Sequence, residues 1–382
     1  MRRRSYDIDY LLVFLVGILL IFGLVILCSA SFAGVSAAQS DPYYYVKKQL
    51  VWVVVGIAVM IGMCSFDYNV LGRYHKAVYW ATVVSLAVVL VVGKSISGGQ
   101  RWVMLGPASL QPAELGKIGI VISLAKHLEQ KEALTEPRDL ISVFLHVGIP
   151  MLLILRQPDF GTAMVFVGVL MGMLFMAGAV RKHLVWISIS GVAVFSLVAW
   201  LSVLGLVPIL APHQINRILV FLDPYADRTG AGWNVIQSMI AIGSGGFFGK
   251  GLLKGTQAQL QFLPAHHTDF IFSVVGEELG FLGSFGLLAV YLTLLWRGLK
   301  IMVSAKDDFG ANLAAGVVSM LLSHLVINVG MTLGMMPVTG IPLPFISYGG
   351  SSLLANMAGI GLLLNVYMRR RKIMFGKSTL GQ

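Results

Sequence analysis

Ten separate stretches of this chain are long and apolar enough to cross a lipid bilayer, and that repetition sets the class of fold before any motif is read. A helix crossing the hydrocarbon core needs about 20 mostly apolar residues. The stretches lie near 10–30, 49–66, 77–93, 113–128, 139–156, 160–180, 183–207, 270–296, 309–336 and 345–368. The fourth is short and carries Lys117, which makes it the least apolar of the set. Only 12% of the 382 residues are charged and 57% are hydrophobic, whereas soluble domains average about 25% charged residues. A soluble fold of this composition would lack polar surface. The expectation is an all-α polytopic membrane protein of about ten transmembrane helices, a single membrane domain over 1–382. The run from Tyr10 to Ala30 follows Met1-Arg2-Arg3-Arg4 as in a signal peptide. It is too long for a signal core and reads as a retained anchor.

Charge sets the orientation. The formal net charge is +11, which in a soluble chain would suggest nucleic acid. In a membrane protein Lys and Arg collect on cytoplasmic loops, so no nucleic-acid partner is expected. With both termini inside, roughly two-thirds of the 28 Lys and Arg residues fall on the cytoplasmic face. Cys28 and Cys64 then lie near opposite faces, roughly 30 Å apart, and cannot form a disulfide. The cytoplasmic loops are short. The outer face carries a loop of about twenty residues from Lys94 to Pro112 and a long extracytoplasmic loop, about 207–269, between helices 7 and 8. Loops this long in a compact protein are usually functional or disordered. These contain Trp, Phe and Leu, so both are expected to be folded, with short helices at the membrane surface.

The chemistry-capable residues gather on that outer face. Gln111-Pro112-Ala113-Glu114 and Gln157-Pro158-Asp159 each open a helix there. Proline suits a first helical turn, and an acidic residue there complements the helix dipole; for Asp159, capping and function weigh about equally. Lys117 follows Glu114 by three residues, so the two share a helix face. They read as an ion pair holding helices together, as a polar cavity wall, or as both, because ionisable groups within a span are costly. Arg101 and Trp102 sit in a glycine-flanked loop. Trp102 reads as an interfacial anchor or as a platform for a sugar or lipid, with Arg101 holding phosphate. Gly243-Ser244-Gly245-Gly246 and Gly249-Lys250-Gly251 are not a Walker A loop. They read as tight turns or, with Lys250 and Lys254, as a phosphate cradle. Asp269 stands where the long loop meets a span. It reads as an N-cap or as a partly desolvated general base. His266 and His267 lack a metal-ligand spacing, and Glu277-Glu278 lies at a costly depth. The stretch from Pro337 to Ser352 reads as a re-entrant loop feeding a small-residue helix start, which equally suits close helix packing.

Gln111 to Lys117, Gln157 to Thr162, His267 to Phe270 and Pro337 to Ser352 together resemble the SEDS proteins, the bacterial shape, elongation, division and sporulation family. The resemblance covers nearly the whole chain. The short N-terminus and compact length are more like the family's elongation member, RodA, than its division member. The resemblance implies a peptidoglycan glycosyltransferase that polymerises lipid II, a disaccharide-peptide on undecaprenyl diphosphate, at the outer face of the cytoplasmic (inner) membrane of a bacterium. It implies that Asp269 is the essential aspartate, Trp102 the loop tryptophan, Glu114 and Lys117 the buried pair, and Asp159 the acidic residue at the sixth helix. The leaving diphosphate needs cations or a metal, for which Arg101, Lys117, Arg217, Lys250 and Lys254 are candidates. A divalent cation, Mg or Mn, is compatible with this chemistry, though the sequence shows no dedicated metal site. The implied partner is a class B penicillin-binding protein, a transpeptidase, within a shell of membrane lipids. Two other classes compete: a lipid II flippase or transporter, whose polar sites would lie at the midplane of symmetric halves, and a non-catalytic scaffold of the cell-wall complex.

Overall fold

A backbone in hydrocarbon must satisfy its own polar groups, and a helix does this within one segment. The computed structural model of the protein accordingly is built from helices. It describes residues 7–32, 41–96, 99–105, 108–131, 134–206, 212–227, 230–260 and 262–370. Of the positive residues that set the orientation, Arg2, Arg3, Arg4, Arg228, Arg371, Lys372 and Lys377 lie outside these.

The order is α1 (Tyr10–Phe32), α2 (Tyr44–Ser65), α3 (Tyr68–Arg73), α4 (His75–Val92), β1 (Lys94–Ile96), β2 (Gly99–Leu105), β3 (Ala108–Leu110), α5 (Pro112–Glu129), α6 (Pro137–Arg156), α7 (Phe160–Met176), α8 (Arg181–Val203), α9 (Pro212–Leu222), α10 (Ala231–Gly245), α11 (Thr256–Gln259), α12 (Ile271–Val303), α13 (Asp308–Thr332) and α14 (Gly350–Met368). All ten expected stretches are helical. Eight of those helices are long and apolar enough to cross a membrane. The other two are α7, which has 17 residues, and α5, which carries Glu114, Lys117, Lys126 and Glu129. The described ends of the chain meet: Arg297 pairs with Asp9 and Arg370 with Asp7. Both ends therefore lie on one face of the bundle, as an even number of crossings requires.

Helix α13 lies at the centre, packed on α5, α7 and α12, and α14 lies along α2. These two are the most enclosed spans, whereas α2 and α8 are mostly exposed to the surroundings. The segment after α8 is folded as expected. Its helices α9 and α10 share a small apolar core of Val220, Val235, Leu263, Phe270 and Val338, and Trp233 Nε1 donates to the Phe262 carbonyl at 2.8 Å.

Two expectations are corrected. The loop from Lys94 to Pro112 holds no short helix among its described residues. It is an antiparallel meander in the order β1-β2-β3, with Lys94 opposite Trp102 and Val103 opposite Leu110. Its short runs of Trp, Val, Met and Leu between Gly-rich turns suit a half-buried pleat better than a helix. The eighth span is also not continuous, because α12 breaks at Gly280 (φ 64°, ψ −160°). That conformation is open to glycine and closed to most other residues. The broken ladder is repaired from the loop after α10. Lys250 and Gly251 N–H donate to the Glu277 and Glu278 carbonyls at 3.0 and 2.9 Å, and Phe281 and Leu282 N–H donate to the Gly246 and Phe247 carbonyls at 2.9 and 3.1 Å. The glycine-rich run is therefore a backbone clip across the helix break. The short part of α12 before the break, 271–279, is a buried insert, and Asp269 stands at its start.

Candidate functional site

Four charged side chains converge at the end of the bundle that carries the sheet: Arg101, Asp159, Arg217 and Asp269. They arrive from β2, the α6–α7 turn, α9 and the start of α12. Asp159 is buried and caps α7, its Oδ1 accepting from Thr162 N–H at 3.1 Å. Its Oδ2 accepts from Gln111 Nε2 at 2.9 Å, and Arg101 Nη1 lies 3.8 Å from Oδ1. Arg101 is pinned to the same turn: its Nε donates to the Gln157 carbonyl at 3.0 Å and its Nη2 to the Pro158 carbonyl. Gln157 in turn donates to the Leu86 carbonyl at 2.9 Å. Asp159 thus caps α7 and also stands beside Arg101.

Asp269 differs. Phe270, not Asp269, occupies the N-cap position of α12, and no side chain caps that helix. The capping alternative for Asp269 is therefore set aside. Its backbone is held instead: Asn328 Nδ2 donates to the Asp269 carbonyl at 2.8 Å and to the Ile341 carbonyl at 2.7 Å. Gly340 closes over the carboxylate at φ +74°, where a Cβ would come within 3.3 Å of Oδ2. Burial pushes Asp269 up to about 6. Arg217 opposes this most among the charges; Asp159 adds to it and Arg101 subtracts. Arg217 is itself lowered, first by burial and then by Arg101. The outcome is a carboxylate that can bind and release a proton near neutrality, facing two guanidinium groups.

The Glu114–Lys117 pair is reached through the protein interior. Both residues are buried. Lys117 Nζ lies 2.8 Å from Glu114 Oε1 and 2.7 Å from His324 Nε2. His324 Nδ1 lies 3.2 Å from the Pro342 carbonyl. A carbonyl only accepts, so Nδ1 carries the hydrogen and Nε2 accepts from the ammonium. Glu114 Oε2 is buried with no hydrogen-bond partner among the described residues. The chain Glu114–Lys117–His324–Pro342 thus ties α5 to the loop that carries Gly340. Gln111, at the start of α5, reaches Asp159. Lys117 is locked within this chain, inside the span.

Of the remaining candidates, the two loop lysines sit apart from this cluster. Trp102 is half-buried on β2. Lys250 pairs with buried Glu277 at 2.6 Å and donates to Thr256 Oγ1 at 2.9 Å. Glu277 stands eight residues beyond Asp269, about 12 Å along a helix. Lys250 therefore neutralises the acid at the helix break instead of facing the Asp269 carboxylate, and Lys254 is exposed on the same loop. Their proximity in sequence to the long loop's chemistry did not carry into space. Glu278 accepts from Ser29 Oγ at 2.6 Å.

Sequence reasoning missed His324, Asn328, Gln111 as a ligand of Asp159, and an aromatic group beside Asp269. In that group Tyr45 stacks on His267 with ring centroids 4.3 Å apart, and Tyr348 meets Tyr45 edge-on at 5.0 Å. Burial lowers His267 to about 4, so its ring is neutral at physiological pH. The available signal was His324 and Asn328 one helical turn apart within an otherwise apolar run.

The donor set does not fit a protein-built metal site. Among the described residues no three His, Cys, Asp or Glu side chains come together. Asp159 spends both oxygens on the protein, and His266 turns its two ring nitrogens to the Leu263 and Ala30 carbonyls at 2.7 and 3.1 Å.

An apolar groove of about 490 Å³ runs beside this end of the bundle, between α4, α5 and the sheet. Val103, Leu110, Leu115 and Gly116 are in its lining.

The fold and the site define a polytopic membrane protein with an acid–arginine centre at one end of its helical bundle. Comparison with known proteins gives the family. The sequence model of the FtsW/RodA/SpoVE family, described as "Cell cycle protein", matches residues 10–372, and this chain belongs to that family. It is 38% identical to stage V sporulation protein E of Bacillus subtilis (strain 168) over 96% of this chain and 98% of that protein. It is 35% identical to peptidoglycan glycosyltransferase MrdB of Escherichia coli (strain K12) over 88% of this chain and 89% of that protein. A chain in a solved peptidoglycan synthase complex, described for its structural coordination of polymerization and crosslinking, superposes with a TM-score of 0.78 at 35% identity. That match covers 94% of this chain and 98% of the other.

Proposed function

We propose that this protein is a peptidoglycan glycosyltransferase that polymerises lipid II, with the Asp269 cluster as its active centre on the extracytoplasmic face of the bacterial inner membrane. The carrying observation is the pairing of a proton-accepting carboxylate, held near 6, with Arg101 and Arg217. A glycosyl transfer from a lipid diphosphate needs both parts. The acceptor sugar's hydroxyl attacks the anomeric carbon of the donor, and its proton passes to Asp269. The new C–O bond forms as the bond from the anomeric carbon to the diphosphate oxygen breaks. The departing lipid diphosphate takes the electron pair, and the guanidinium groups stabilise its charge. The donor carries its own activation, so no nucleotide is required.

Asp159 and Gln111 set the position of Arg101, and the Glu114–Lys117–His324 chain sets the loop over Asp269. Trp102 offers an aromatic face to sugar or lipid, and the groove between α4 and α5 has the apolar walls a prenyl chain requires. Lys250 and Lys254 belong to the supporting loop. A divalent cation, Mg²⁺ or Mn²⁺, would enter as counter-ion of the diphosphate. Positive charge at the termini end supports cytoplasmic termini. The family's solved complex supports a transpeptidase partner of the class B penicillin-binding type. A role in elongation is part of this reading, although the similarity to a sporulation relative is of the same order as that to MrdB.

The test is purified protein in liposomes given lipid II alone, with and without Mg²⁺ or Mn²⁺. Glycan strands are expected. Translocation of lipid II without polymer would establish a transporter instead, and neither outcome without a transpeptidase would establish a scaffold.

A further inference from the structure

The opposite end of the bundle carries a cleft that the proposed reaction does not use. It has a volume of about 650 Å³, lies between the last turns of α12 and α14, and is lined by Trp296, Arg297, Lys300, Tyr367 and Arg370 among others. Aromatic rings hold the cations along its rim. Lys300 Nζ sits 3.6 Å over the Trp296 ring, and the Arg370 and Arg297 guanidinium groups sit 3.7 and 5.4 Å from the Tyr367 ring.

The charges there are unequal. Buried Asp9 fixes Arg297 at 2.6 Å and also accepts from Leu12 N–H at 3.2 Å at the start of α1. Asp7, half-exposed, lies 3.5 Å from Arg370. Lys300 has no acidic partner among the described residues, so three cations face two carboxylates.

Apolar walls, a Trp–Tyr rim and surplus cations at the depth where helices leave hydrocarbon match the chemistry of one molecule class. We propose that this cleft binds an anionic phospholipid such as phosphatidylglycerol from the adjoining leaflet. Its phosphate accepts from Lys300 and from the edge of Arg297 that Asp9 leaves open. Its acyl chains run along exposed Trp296 and Val303. A choline headgroup brings its own cation and gains less from the same rim.

The test is native mass spectrometry of the purified protein titrated with phosphatidylglycerol or phosphatidylcholine. One phosphatidylglycerol should be retained in preference to phosphatidylcholine. Lys300→Gln should weaken that retention about fivefold, and Lys300→Gln with Arg370→Gln about 25-fold, leaving phosphatidylcholine unchanged. Equal retention of the two lipids, or full retention by the double variant, would overturn the proposal. So would displacement by soluble glycerol 3-phosphate, which would reveal a simple anion site. Lys300 is exposed and held only by a ring, so its single variant carries the test if the double variant does not fold. Binding is read without any polymerisation assay, so the outcome does not depend on the glycosyltransferase reading.

Discussion

Asp159 and Asp269 occupy matching places, each just before a helix at the same end of the bundle, yet their surroundings give them opposite chemistry. Asp159 is saturated: Thr162 N–H, Gln111 and Arg101 all reach its oxygens. Asp269 caps nothing. It is held through its backbone by Asn328 and is raised by burial to about 6. A carboxylate whose acceptor sites are filled positions its neighbours. One that is desolvated and less fully bonded, as Asp269 is with Thr268 beside it, exchanges a proton. On the proposed reaction, the difference gives Asp159 the positioning part and Asp269 the proton transfer.

The largest test of that contrast is substitution of each. Asp269→Asn should reduce polymerisation by about 10²–10⁴-fold, the range of a lost general base, with little change in unfolding temperature. Asp159→Ala should cost less activity but about 1 kcal/mol of stability, through its lost cap. Equal losses of activity would break the contrast. Next is the interior chain. Lys117→Met leaves Glu114 buried without its partner and should destabilise the protein by about 3–5 kcal/mol. Adding Glu114→Gln should recover much of that, as measured by thermal unfolding in detergent.

The pH dependence sharpens the comparison further. Polymerisation should fall as pH drops through about 6, where Asp269 takes up its proton. Arg217 lowers the Asp269 pKa and Asp159 raises it. Arg217→Gln should therefore move the acid limb to higher pH, and Asp159→Asn should move it to lower pH. Opposed shifts are a signature that simple unfolding does not produce. The smallest effect belongs to Lys254→Ala, which should leave the turnover rate within about twofold, the usual range for an exposed surface substitution.

The ten helices were legible because a bilayer imposes a length and a polarity that few soluble sequences share. Lys117 marked α5 as one of the two exceptions, whereas the short α7 carried no such mark. Other features did not show. Hydropathy runs smoothly across Gly280, so the break in α12 and its clip from the α10 loop were hidden. Strands as short as β1 and β3 look like loop. Lys250 stood near the right chemistry in sequence, yet the clip turns it to Glu277. Asp159, Asp269 and Arg101 were legible as polar residues stranded beside apolar runs. His324 and Asn328 were not, because a lone His or Asn in a span equally suits packing, and only α13's central position brings them under the Asp269 loop.

The account rests on proton transfer at Asp269, and the most direct measurement is the pH–rate profile of lipid II polymerisation by the wild type and by Asp269→Asn at matched folded protein. It predicts an acid limb near 6 in the wild type and, in the variant, residual activity that is flat across that limb. A variant that polymerises at the wild-type rate, or keeps the limb unchanged, would contradict it.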